Sequence, residues 1–319
     1  MRILVTGATG FVGRTLVPVL VERGHTVRAA IRRAGTQVPG AEPVVVGDIG
    51  PDTDWSAALD GVDAVVHLAA RVHVMTDTAA DPLAAFRAVN TAGTRRLAEM
   101  AAARGVRRFV YLSSIKAVTD ESRPEPIGDS TPPDPHSPYG VSKLEAERAL
   151  AGIGNLDPVI LRPPLVYGPG VAGNLRTLLT LCERRVPLPL ASVRNRRSLI
   201  HVGNLADAIA LCLVHPAAAG RTFVLSDGAA LSTADLIRAF SAGLGVTPRL
   251  FPFPAALLKL GATLTGRMAA FDRVAGSLEL DDRGIRETLG WSPPHPAASG
   301  LRATAEWFKA GGGQRFARS

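Results

Sequence analysis

Three residues in this chain have the types and spacing to move a proton beside a hydride. Tyr139-Gly140-Val141-Ser142-Lys143 sets a phenol and an amine four apart, on one face of a helix. A free tyrosine ionises near ~10 and is a poor acid–base catalyst at neutral pH. A neighbouring ammonium favours the phenolate, so Tyr139 paired with Lys143 can exchange a proton with a carbonyl or alcohol oxygen. Ser114 follows the apolar run Phe109–Ser113 and is the candidate to hydrogen-bond that same oxygen. Ser113 is not chosen, because side chains alternate along a strand. Lys143 can also hold the ribose of a nicotinamide.

The hydride requires a carrier. Thr6-Gly7-Ala8-Thr9-Gly10-Phe11-Val12-Gly13 follows the first apolar run and opens a helical one. Gly7 permits a tight turn, Gly10 lets a pyrophosphate approach the backbone, and Gly13 lets helix and strand pack closely. The free N–H groups and positive end of the helix face the phosphates. Gly7, Gly10, Phe11, Val12 and Gly13 are therefore candidate dinucleotide contacts. Further along, Asp48 and Ile49 end the third run, where a carboxylate can accept from an adenine amino group. Leu68, Ala69 and Ala70 end the fourth, and small residues there leave room for a ribose.

These residues need a parallel sheet with its ligand crevice at one edge. Strands are expected at Arg2–Thr6, Val27–Ile31, Pro43–Val46, Ala64–Leu68, Phe109–Ser113 and Pro158–Leu161, with helices at Phe11–Glu22, Pro82–Arg104 and Tyr139–Ala151. Apolar β-branched runs alternating with helical patterns give βαβ units, hence an α/β, Rossmann-like doubly wound parallel sheet. After about residue 161, Pro and Gly become denser. The expected organisation is a dinucleotide domain over 1–165, rejoined by about 198–226. A smaller mixed α/β substrate lobe mainly occupies 166–310, and a flexible tail 311–319.

Composition narrows the classes. The 319 residues are 46% apolar and 20% charged, an ordinary globular balance. The net charge of +8 suits phosphate-bearing ligands; no basic run is interleaved with aromatics, so nucleic acid is not an expected partner. Cys182 and Cys212 lie in apolar helical stretches with no metal-ligand spacing, so neither a metal nor a disulfide is expected. With no apolar run near the ~20 residues of a membrane span, a cytoplasmic protein without a membrane partner is expected.

TGATGFVG, HLAA, YLSS and YGVSK together resemble the extended short-chain dehydrogenase/reductase family, in its nucleotide-sugar epimerase, dehydratase and reductase branch. RPPLVYGPG, Gly173-Asn174-Leu175 and NRRSLIHVGNLADAI are similar to that branch's nucleotide-sugar lobe. The resemblance implies a UDP-sugar substrate. It assigns Asn174, Leu175 and Arg197 to the nucleotide and diphosphate, with Arg273 as second phosphate arginine. Pro164 is implied as a cofactor contact, and a homodimer through Pro82–Arg104 and Tyr139–Ala151 is implied too. The motif order most resembles the 4-keto-hexosamine reductases.

Departures from the family pattern help choose a reaction. Dehydratases of the branch carry Asp-Glu after the catalytic Ser/Thr, whereas Ile115 and Lys116 follow Ser114. Many UDP-galactose epimerases carry Asn where Leu165 stands. NAD-using members place Asp at the end of the second strand; here Ile31 stands there, followed by Arg32 and Arg33, which could pair with a 2′-phosphate. NADP(H) is thus favoured, with NAD(H) the alternative. The expected reaction is 4-ketoreduction of a UDP-4-keto-6-deoxy-N-acetylhexosamine for surface polysaccharide. The alternatives are a UDP-hexose 4-epimerase with bound NAD, a reductase of a non-sugar ketone, and an NADP-binding redox sensor.

Overall fold

A computed structural model describes residues 1–72 and 80–312. The strands are β1 (Arg2–Thr6), β2 (Thr26–Ile31), β3 (Ala41–Val45), β4 (Ala64–His67), β5 (Arg108–Leu112), β6 (Asp157–Arg162), β7 (Leu165–Tyr167), β8 (Leu199–His201) and β9 (Thr222–Val224). Seven of them form one sheet in the order β3-β2-β1-β4-β5-β6-β9, every pair parallel, while β7 and β8 pair separately. This is the Rossmann-like α/β fold. The strand order runs outward in opposite senses from β1 and β4, and this switch point opens a crevice at the carboxyl ends of those strands.

Both faces of the sheet are covered at its centre, which is why strands such as β1 and β4 read as apolar runs, whereas edge strand β3 is largely exposed. Helices α1 (Phe11–Glu22) and α6 (Val202–Val214) pack together on one face, over Ile3, Val5, Val66 and Val110. The other face carries α2 (Pro82–Phe86), α3 (Thr94–Ala103) and α4 (Pro138–Ala151), over Leu4, Val65, Phe109 and Tyr111. A third core joins α5 (Gly173–Glu183), α7 (Thr233–Leu244) and α11 (Ala297–Trp307) around Leu175, Leu179, Phe240 and Leu301. The remaining helices are α8 (Ala255–Leu264), α9 (Met268–Ala275) and α10 (Arg283–Leu289).

Two expectations need correction. The single helix expected over Pro82–Arg104 is α2 and α3 joined by a π-helical segment, Arg87–Gly93. The widened turn swings Asn90 into the interior, where it is 1% exposed. The run expected as Phe109–Ser113 ends as a strand at Leu112. Of the expected tail, 313–319 lie outside the described residues.

Candidate active site

The glycine loop is a close-fitting cradle. Gly7 has φ +68°, and a Cβ there would lie 2.8 Å from the Ala69 nitrogen. The β4 exit, Leu68-Ala69-Ala70, therefore passes directly over the loop. A Cβ on Gly13 would lie 2.6 Å from the Ala8 Cα and strike the Gly7 carbonyl, so α1 can approach β1 only without one. Gly10 is the N-cap of α1 and supplies no side-chain cap, leaving the first N–H groups of the helix for a ligand. A dinucleotide fits this cradle: its pyrophosphate would meet the backbone of Gly10, Phe11 and Val12, with no side chain in the way. Phe11 itself leans toward the lobe, close to Gly170, and Val12 packs on the core.

Thr6 and His67 brace the crevice from below. The Thr6 Oγ1 receives the Ala69 N–H at 3.1 Å and lies 2.7 Å from His67 Nδ1; His67 Nε2 lies 2.9 Å from Thr94 Oγ1. Burial, and then the charge of Lys143, push the His67 pKa down to about 3. The ring is therefore neutral, donating from one nitrogen and accepting at the other.

Ser114 and Tyr139 meet beyond the end of β5, and Lys143, one turn along α4 from Tyr139, reaches the last residue of that strand. Ser114 caps a short helical turn, accepting from the Lys116 N–H at 3.2 Å. That turn is tied to the β6 exit by the Ile115 N–H donating to the Pro163 carbonyl at 2.9 Å, beside buried Pro164. The start of α4 packs on the same turn: a Cβ on Gly140 would strike the Lys116 carbonyl. Ser137 caps α4 by accepting from the Gly140 N–H at 3.0 Å, and donates its own hydroxyl to Asp120 at 2.6 Å. Phe86 packs edge-on against the Tyr139 ring, with centroids 6.0 Å apart. Burial pushes the Tyr139 pKa up, and a hydrogen-bonding contact with Ser114 pulls the other way.

Lys143 is 1% exposed. Its Nζ donates to the Leu112 carbonyl at 2.7 Å and lies 4.1 Å above the Tyr111 ring. Burial drives its pKa down to about 7, against the pull of Glu147. Ser113 does point elsewhere: its hydroxyl donates to Glu147, which also holds Arg162 at 2.6 Å in a buried ion pair. Sequence reasoning missed Asn90, whose Nδ2 donates to the Arg71 carbonyl and to Ser142 Oγ, both at 3.0 Å. This pins the middle of the Tyr-Lys segment to the β4 exit. It also missed Asp120 and Glu147, since no spacing rule links residues joined only by the fold.

The remaining predicted residues are more dispersed. Arg32 Nε lies 3.5 Å from Asp48 Oδ1, so the cations at the β2 end and the carboxylate at the β3 end form one exposed polar rim. Arg33 is exposed, and Ile49 packs near Gly93 at the π-helical segment. Asn174 is exposed in the first turn of α5; the Leu175 side chain is core, so only its backbone can face a ligand. Arg197 donates to the carbonyls of Asp272 and Gly276, both at 2.8 Å, and thereby clasps the end of α9. Arg273 is exposed on α9. Cys182 and Cys212 are buried free thiols, and no metal-ligand cluster exists among the described residues.

A nucleotide cradle at the switch point of a parallel sheet, facing a Tyr-Lys-Ser set, defines an extended short-chain dehydrogenase/reductase. The family model for the NAD dependent epimerase/dehydratase family matches residues 3–226, and the chain belongs to that family. A Vibrio cholerae protein named UDP-glucose 4-epimerase is 42% identical over 314 residues, 96% of this chain and 95% of its own. A Streptomyces 3-diazoavenalumate denitrifying reductase is 32% identical over 310 residues, 93% of this chain and 97% of its own. A short-chain dehydrogenase/reductase superfamily structure from Agrobacterium tumefaciens, with bound NAD, has a TM-score of 0.74 at 28% identity, covering 97% of this chain and 98% of its own. The protein is thus an enzyme of nucleotide-sugar epimerase/dehydratase type. The relatives support the epimerase alternative better than the 4-ketoreductase expected first.

Proposed function

We propose that the enzyme interconverts UDP-hexoses epimeric at C4, using a retained NAD. The observation that carries this reading is the end-to-end similarity to the Vibrio cholerae UDP-glucose 4-epimerase. When bound, the nicotinamide accepts and then returns the C4 hydride. Tyr139, as phenolate, takes the proton of the C4 hydroxyl as the C4–H bond breaks and the ketone forms. Ser114 donates a hydrogen bond to that oxygen in both directions. Once the ketone has turned its other face, Tyr139 returns the proton and the opposite epimer results. Lys143 supplies the positive charge that makes the phenolate accessible.

A second reading, net 4-ketoreduction of a UDP-4-keto-6-deoxy-N-acetylhexosamine with NADP(H), is favoured by one observation. The β2 end offers Arg32 and Arg33 and no carboxylate of its own. A guanidinium pairs with a 2′-phosphate, and a carboxylate there would repel it. One experiment separates the two. Epimerisation gives UDP-galactose from UDP-glucose with no net change in reduced nicotinamide. Ketoreduction consumes NADPH in proportion to product, and finding only that would overturn the first reading.

A further inference from the structure

Four of the ten large apolar residues exposed on the described chain crowd into one fourteen-residue segment: Phe251, Leu257, Leu260 and Leu264. The other six are scattered, which is normal for a surface. Leu257, Leu260 and Leu264 are 52%, 54% and 78% exposed and lie on one face of α8. No residue of α8 is buried. Its opposite face, with Leu258 and Ala262, roofs an apolar hollow of about 280 Å³ bounded by Leu190, Phe271 and Val274. The helix therefore stands off the lobe and shows solvent a row of leucines.

Charge indicates what covers that row. From Leu236 to Phe271 the chain has no Asp or Glu, yet it carries Arg238, Arg249, Lys259 and Arg267. Arg238 is paired with Asp235. Arg249 and Arg267 are exposed before and after the helix, and Lys259 is exposed on its flank. A second copy docking on this face would bring like charges together with no carboxylate in the segment to answer them. An anionic lipid surface answers both features, taking leucine side chains between its headgroups and the cations beside its phosphates.

We propose that α8 is a membrane-surface helix, lying in the plane of an anionic bilayer with Leu257, Leu260 and Leu264 inserted. This revises the expectation of no membrane partner. The expectation rested on the length of apolar runs, and a helix that lies on a bilayer needs no such length. No described helix is long and apolar enough to cross one. The inference does not depend on which sugar reaction the enzyme performs.

Flotation of the full-length protein with two kinds of vesicle tests it. Phosphatidylcholine vesicles containing phosphatidylglycerol should carry the protein upward; pure phosphatidylcholine should carry much less, and high salt should release it. Arg267→Gln should weaken binding about fivefold. The triple variant Leu257→Glu, Leu260→Glu, Leu264→Glu should lose flotation yet keep the wild-type melting temperature and turnover, because none of these side chains is in the core. Absence of flotation by the wild type overturns the proposal, as does unchanged flotation by the triple variant. A triple variant that shifts from dimer to monomer in light scattering, with no wild-type flotation, would assign the face to a second copy.

Discussion

Replacing Lys143 by Met removes a buried ammonium while nearly keeping its volume, and so isolates its charge. At an effective dielectric near ~20, a unit charge about 6–8 Å from a phenol oxygen is worth roughly 2–3 kcal/mol. That corresponds to about 2 pKa units on the Tyr139 phenol, whose burial already holds its pKa up. Turnover near neutral pH should therefore fall on the order of 100-fold when measured at saturating cofactor, since Lys143 is also the candidate to hold the nicotinamide ribose. Because burial lowers the Lys143 pKa to about 7, the wild-type rate should also lose activity as pH rises through 7, and the variant should lack that ionisation. The Leu112 carbonyl loses its donor, at a cost of about 1–3 kcal/mol, while a charge no longer has to be buried. A melting curve checks that the variant is folded. Stopped-flow or coupled assays across about pH 5 to 9, a range that brackets the transition, read the rest. A folded variant within about threefold of wild type, or one that keeps the ionisation near pH 7, would falsify the role given to Lys143.

Gly13→Ala forces a methyl against Ala8 Cα and the Gly7 carbonyl, so melting should drop by an amount equivalent to about 1–3 kcal/mol, and NAD binding by calorimetry should weaken sharply. Arg32→Asp should shift the ratio of NADPH to NADH affinity toward NADH; an unchanged ratio would remove the support for a 2′-phosphate clamp. Acid should destabilise the protein through His67 and His201, whose pKa values burial lowers to about 3 and about 4. The unfolded chain binds these protons below about 6.5 and the folded chain does not, so stability should fall as pH drops from about 6.5 toward 4. Denaturant titrations at pH 7 and pH 5 measure it, and equal midpoints would contradict the neutral, buried histidines.

The parts legible in the sequence are those that obey local rules. Arg2–Thr6 and Phe11–Glu22 form as expected because an apolar run, a glycine turn and a 3.6-residue period all agree. Ser114, Tyr139 and Lys143 could be singled out because one helix face and one strand exit carry them. The π-helical segment was not legible, since Arg87–Gly93 keeps an ordinary helical pattern while its backbone widens to bury Asn90. Nor was the Ser113–Glu147–Arg162 cluster, whose members meet only when β5, α4 and β6 are packed. Arg197, expected as a phosphate ligand, clasps the end of α9 through the carbonyls of Asp272 and Gly276, a contact that no motif announces.

The central claim is that Tyr139, Ser114 and Lys143 work beside a retained nicotinamide that removes and restores the same C4 hydride. UDP-glucose deuterated at C4 tests it most directly. The account predicts UDP-galactose that keeps deuterium at C4, formed by the wild type and not by Tyr139→Phe. UDP-galactose that has exchanged its deuterium for solvent hydrogen, or comparable conversion by Tyr139→Phe, would contradict it.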